Sequence, residues 1–187
     1  MNKEEALKLL NEEGSLAPDN RWISHSICVG DTASVIAEKL NLDKEKARVL
    51  GYIHDIGKRF GSFPLHDLNG FNYIKELGYS DEYANICLTH SYLNNDYLCT
   101  AGSLPEDIPF RTQFIKNHEY TIYEKIINLC DLMCTNVVNT VDKRLIDIKN
   151  FEIDRIDDQR IYFIKKYSCL KSQNELKQDY ENYIKSR

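Results

Sequence analysis

Gly51-Tyr52-Ile53-His54-Asp55-Ile56-Gly57-Lys58 is the stretch from which the rest of the chain can be read. It closes a helical pattern that Asp43 caps, that carries Ala47, Leu50, Ile53 and His54, and that Gly57 stops. Imidazole and carboxylate side by side at a helix end suit a divalent ion such as Fe, Mn, Co, Ni or Zn, provided that neighbouring helices close around them. Lys58, four residues after His54, projects from that helix end toward the same mouth, where an ammonium can hold a phosphate oxygen. A His-Asp pair alone is weak evidence, so what the other helices bring decides its meaning.

Outward from this block the apolar period is helical nearly everywhere. Residues 3 to 13 form a short helix ended by Gly14. Asp19 or Asn20 caps a long helix to about Leu40, with Trp22, Ile23, Ile27, Val29, Ala33, Ile36 and Ala37 on its apolar side. Helices follow near 67–77, ended by Gly78, and near 81–92, capped by Ser80. The polar stretch Asn94 to Pro109, broken by Gly102 and Pro105, reads as a long loop. A strong helix runs from about Ile122 to Val141, and the charged, tyrosine-rich tail after Asp154 is helical as well. With no alternating strand run and no repeat, the pattern predicts one all-α domain over 1–187, its motif-bearing core about 20–145 and a helical extension about 155–187.

The bulk properties narrow the function. The chain has 187 residues, 42% hydrophobic and 28% charged, with a formal net charge of −5. That suits a globular domain and argues against a general nucleic-acid binder, which carries a basic excess. No stretch approaches the roughly twenty apolar residues of a membrane span, and the N-terminus lacks the form of a signal peptide, so a cytoplasmic protein is expected. The six cysteines (Cys28, Cys87, Cys99, Cys130, Cys134, Cys169) contain no CxxC pair; four fall in apolar helical patterns, as reduced, buried thiols do. A Ser-His-Asp arrangement, a Walker loop and a GxGxxG fingerprint are all missing.

His54-Asp55-Ile56-Gly57-Lys58 resembles the signature of the HD superfamily of metal-dependent phosphohydrolases, in its HDIG form. Arg21-Trp22-Ile23-Ser24-His25-Ser26 resembles that family's upstream element and Asn128-Leu129-Cys130-Asp131-Leu132 its downstream one. The resemblance thus implies an HD-domain helical bundle with metal ligands His25, His54, Asp55 and Asp131. His66-Asp67-Leu68-Asn69-Gly70 and Cys87-Leu88-Thr89-His90-Ser91 resemble the extra positions of two-metal HD enzymes, bacterial diadenosine tetraphosphate hydrolases among them. There Asp55 would bridge two ions, with His66 and His90 holding the second. The sequence departs from that branch after His90, where Ser91-Tyr92-Leu93 replaces a His-Thr-Thr-Gly-like run, so the substrate stays open. The segment from Tyr120 to Asp147, including Arg144, resembles HD hydrolases of unassigned substrate.

Each residue also has a plainer reading. His25, alone, would be a satisfied core histidine; Asp131, among Leu129, Cys130, Leu132 and Met133, is costly to bury unless paired or metal-bound. His66 and His90 fit capping and supporting roles nearly as well as ligation. Gly70, one turn after His66, permits close helix approach. Asp67, before an apolar helix, reads as an N-cap, and His118 as plain surface. Asp55, Lys58 and Arg21 are the expected catalytic and phosphate-contacting residues, although Lys58 and Arg21 read equally well as solvated charges. The expected activity is hydrolysis of a phosphoester, such as a nucleotide or small phosphorylated metabolite, with one or two divalent transition-metal ions. Two alternatives keep the same ligands: a mixed-valence di-iron oxygenase, and a catalytically silent nucleotide-binding module.

Overall fold

The computed structural model describes residues 1–62, 65–90, 92, 95, 109–144, 178 and 182. Helix α1 (Lys3–Leu10) is started by a reciprocal capping box between Asn2 and Glu5. Helix α2 (Arg21–Lys39) follows Asn20, but the side-chain acceptor is Asp19, whose Oδ1 takes the Arg21 amide at 2.9 Å. Asp43 caps α3 (Lys44–Ile53) by accepting from the amides of Glu45 and Lys46. A 3-10 turn (Ile56–Phe60), α4 (His66–Glu76), α5 (Asp81–Thr89), α6 (Pro109–Asn117) and α7 (Ile122–Met133) complete the order. The fold is all-α. Among the described residues the only sheet-like pairing is an isolated bridge between Cys134 and Val138.

The core forms where α2, α3 and α7 meet, around Val29, Ala33, Leu50, Ile53, Ile126, Ile127 and Cys130, all essentially buried. Two glycine contacts set how close the elements come. A Cβ on Gly51 would lie 2.4 Å from the Gly30 Cα, so α2 and α3 cross backbone to backbone. A Cβ on Gly57 would lie 1.8 Å from the His66 carbonyl oxygen and 2.4 Å from the Gly70 amide, so the 3-10 turn rests directly on α4. Gly70 in turn approaches Cys87 of α5, the close approach expected of it.

Four expectations are corrected. The helix bearing His54 stops at Ile53, and Gly57 lies inside the following 3-10 turn, where it serves contact with α4. Helix α7 ends at Met133, well short of Val141. Thr135, Val137 and Asn139 bind one another there instead: Thr135 N donates to Val137 O at 3.0 Å and Asn139 Nδ2 to the same oxygen at 3.1 Å. Ser80 holds the N-cap position of α5 without a side-chain hydrogen bond. Residues 110–117, to which the sequence pattern assigned nothing, continue from Pro109 as α6; proline is favoured in a first helical turn because its missing amide costs no bond there. Most of the Asn94–Pro109 loop, nearly all of the tail beyond Arg144, including its tyrosines, and Cys99 and Cys169 lie outside the described residues.

Candidate metal centre

The crossing of α2 and α3 brings His25, five residues before Gly30, to His54, three residues after Gly51; their rings meet edge to face at 5.2 Å. The contact of Gly57 with α4 brings His66 up to Asp55. Helix α5 ends by delivering His90, whose ring lies 4.9 Å from His54 and 5.2 Å from His66. Asp131 arrives on the last turn of α7. Because that helix stops early, the Thr135 carbonyl turns back to accept from His25 Nδ1 at 3.0 Å.

The imidazoles are held in one sense. His54 Nδ1 faces the Gly51 carbonyl at 2.6 Å, and His90 Nδ1 the Ile86 carbonyl at 3.1 Å. With His25, three rings thus have their Nδ1 proton committed to backbone, which leaves the Nε2 lone pair for the site interior. Those Nε2 atoms ring two carboxylates. Around one locus lie His25 Nε2 and Asp131 Oδ1 at 2.8 Å, His54 Nε2 and Asp131 Oδ1 at 3.6 Å, and Asp55 Oδ2 at 3.5 Å from His54 and 3.7 Å from His25. Around a second lie Asp55 Oδ1, His66 Nε2 at 3.4 Å and His90 Nε2 at 3.3 Å, the two imidazole nitrogens 3.1 Å apart. Asp55 faces both, one oxygen to each.

Most of these separations exceed a good hydrogen bond. They match the edges of a coordination polyhedron, since ligand bonds of about 2.0–2.2 Å place neighbouring ligands roughly 3.0–3.5 Å apart. His54 Nε2 and Asp55 Oδ1 are buried without a hydrogen-bond partner, a deficit that a bound cation would fill. The donor set, imidazole nitrogens with carboxylate oxygens, fits a divalent transition ion.

Electrostatics agree. Burial would raise the Asp55 carboxyl, but the Lys58 ammonium and the imidazoles of His54, His90 and His66 hold it well below the usual range. Asp131 behaves likewise under the pull of His25 and His54. Burial lowers His54, and lowers His66 to about 4, so both rings stay neutral and able to donate to a metal. His25 and His90 are also subject to burial, yet Asp131 and Asp55 respectively raise them.

The two loci differ in access. The side chains of His54, Asp55, His66 and His90 are at most 4% exposed, whereas His25 and Asp131 are 18% and 28% exposed. They open, with Lys58, onto a cavity of about 780 Å³. Lys58 Nζ contacts Asp55 Oδ2. Arg21 stands at the cavity wall but is 89% exposed and bound to Asp19 at 2.7 Å. Sequence reasoning gave no role to Arg144, which also lines the cavity, its Nε donating to the Leu132 carbonyl at 3.0 Å. Its resemblance segment was the one available signal.

Two plainer readings are corrected. Asp67 does not cap α4, whose N-cap is Leu65; it lies buried in the first turn, paired to Arg111 of α6. A sequence pattern that predicts no α6 cannot supply that partner. His118 is not plain surface: its ring stacks on Phe114 at 4.9 Å and its Nε2 meets Glu124 Oε1 at 2.7 Å. The described cysteines, Cys28, Cys87, Cys130 and Cys134, are free thiols. No helix among the described residues is long and apolar enough to cross a membrane.

An all-helical chain whose histidines and aspartates converge in this way defines the HD class of proteins. The HD domain family model matches residues 22–135, and the chain belongs to that family, a superfamily of metal-dependent phosphohydrolases. Among solved structures it is similar to the HD domain of the phosphodiesterase PgpH of L. monocytogenes, with 19% identity and a TM-score of 0.47, over 94% of this chain and 98% of that one. No curated protein matches the chain.

Proposed function

We propose that the protein hydrolyses a phosphoester of a nucleotide or small phosphorylated metabolite, with one divalent ion held by His25, His54, Asp55 and Asp131 and a second by Asp55, His66 and His90. One observation carries this reading: four Nε2 atoms converge on two carboxylates, three of them with the opposite ring nitrogen fixed on a backbone carbonyl. When bound, such ions supply Lewis acidity toward a phosphoryl group and make water acidic enough to act as nucleophile near neutral pH.

The chain's own residues do the rest. Asp55 and Asp131 stay ionised and hold the imidazoles in place. The Lys58 ammonium, at the cavity side of Asp55, binds a phosphate oxygen and offsets charge that develops on it. Arg144, anchored through Nε, offers a further cationic contact from the cavity lining, as does Arg21. The cavity, at about 780 Å³, has the size of sites that enclose nucleotide-sized ligands.

The test is a panel of phosphomonoesters and phosphodiesters, run with Fe, Mn, Co, Ni, Zn and Mg beside metal analysis of the purified protein. Wild type should release phosphate or cleave a diester with at least one of these ions, and Asp55→Ala should not, while its helical circular dichroism is retained. Near-normal turnover by Asp55→Ala would sink the proposal. Oxygen uptake by iron-loaded protein without phosphate release would replace it with a di-iron oxygenase. Tight nucleotide binding without turnover would replace it with a silent binding module.

A further inference from the structure

Beneath the second locus lies a polar cluster that takes no part in the proposed ligand set. Asp67, immediately after His66 on α4, is 1% exposed; besides the Leu68 amide of its own helix, which donates to Oδ1 at 2.7 Å, its carboxylate is held by groups from other segments. Arg111 Nη1, from α6, reaches its two oxygens at 2.7 and 3.0 Å. The Tyr92 hydroxyl, two residues beyond His90, donates to Oδ2 at 2.8 Å. Tyr92 and Arg111 are buried too, with the guanidinium 5.8 Å from the Tyr92 ring centre. Tyr120 adds a brace by donating to the carbonyls of Thr89 and Tyr92, on either side of His90.

A single carboxylate therefore fastens the segment that carries His66 to the segment that carries His90. Consecutive helix residues point about 100° apart, so Asp67 cannot share His66's direction and instead fixes the backbone from which His66 projects. Arg111 also occupies both Asp67 oxygens, which keeps this neighbouring carboxylate from competing as a ligand. His66 thus projects from backbone that the Asp67 carboxylate holds against α6 and the Tyr92 segment. From this we infer that Asp67, Tyr92 and Arg111 form a positioning network that sets the 3.1 Å approach of the His66 and His90 Nε2 atoms, and with it whether the protein takes a second ion. The inference rests on the two-locus reading above.

Metal titration of the full chain with Mn²⁺ and Co²⁺, by calorimetry and by metal analysis after buffer exchange, tests it. Wild type should bind about two ions. Tyr92→Phe removes one oxygen from the network, and Asp67→Asn removes its charge at constant shape. Each should weaken the second ion by roughly ten- to a hundred-fold and leave the first unchanged, as loss of groups that orient metal ligands does. Tyr92→Phe is the milder change and decides the matter if Asp67→Asn fails to fold. Two ions bound by Tyr92→Phe at wild-type affinity would overturn the network alone, as would equal weakening of both ions. A wild-type protein that takes a single ion, however much metal is supplied, would overturn the two-locus reading and the network with it.

Discussion

Lys58 sits at the junction of the two loci and the cavity, its ammonium against the Asp55 oxygen that faces His25 and His54. Its chemistry is that of a phosphate holder and not of a ligand, because an ammonium has no lone pair to donate. Lys58→Ala should therefore lower kcat/KM by roughly ten- to a thousand-fold with metal content unchanged. Loss of metal in that variant would give Lys58 a structural role, and unchanged kinetics would place it in solvent. The two arginines differ in the same terms. Arg21 is exposed and already satisfied by Asp19, a pairing worth little at the surface, whereas Arg144 is part-buried with its Nε anchored beside Asp131. Arg144→Ala should cost more in kcat/KM than Arg21→Ala, measured side by side on the substrate that the panel identifies. The reverse order would return Arg21 to the phosphate.

Among the elements, glycine contacts decide whether the ligands meet. A methyl group on Gly51 would strike the Gly30 Cα at 2.4 Å, and neither backbone can move aside without separating His25 from His54. Overpacking of this kind costs about 1–3 kcal/mol or more, which lowers Tm by several degrees in a domain of this size. Gly51→Ala should show that loss in thermal circular dichroism; a Tm within a degree of wild type would mean that the crossing is looser than it looks. Arg59 works at the same scale. It binds the Leu9 and Glu13 carbonyls, the Tyr73 hydroxyl and Glu12, and so ties α1 to the 3-10 turn from which Lys58 projects.

For the molecule as a whole, metal binding and folding are linked. An ion that binds only the folded chain at a hundred times its Kd adds about 2.7 kcal/mol of stability. Chelation should therefore lower Tm, and the sign of the pH effect follows from proton competition: an imidazole that carries a proton on Nε2 cannot bind metal, so affinity falls with pH. The Tm difference between loaded and chelated protein should shrink as pH is lowered from about 7.5 to about 5. A difference that persists undiminished at the lower pH would exclude imidazole ligation. In the chelated protein His66 titrates near 4 when folded, against 6.5 as the unperturbed value. The unfolded chain takes up that proton first, so this contribution to stability is present above 6.5 and is lost as pH falls toward 4. His25 and His90, raised by their carboxylates, act in the opposite sense and flatten the net dependence.

Local and chemical features are legible in the order of residues alone. The 3.6-residue apolar period specified helices because burial of one face is a property of short windows, and Asp43 marked the start of α3 because a cap acts over three residues. The identities of His25, His54, Asp55, His66, His90 and Asp131 were legible through the resemblance carried by the His54-Asp55 block and its partners. Which Asp55 oxygen faces which imidazole follows from the packing of the helices, since His25 and Asp131 lie 106 residues apart and their distance depends on how helices cross. The end of α7 at Met133 likewise depends on the folded chain, where side-chain bonds to the local backbone outweigh helix continuation. Asp67 illustrates the difference most clearly. As a sequence neighbour it reads as a cap, but Arg111, 44 residues away on a helix that the pattern does not announce, makes it a buried anchor. A carboxylate is stable there only because the fold brings that cation to it.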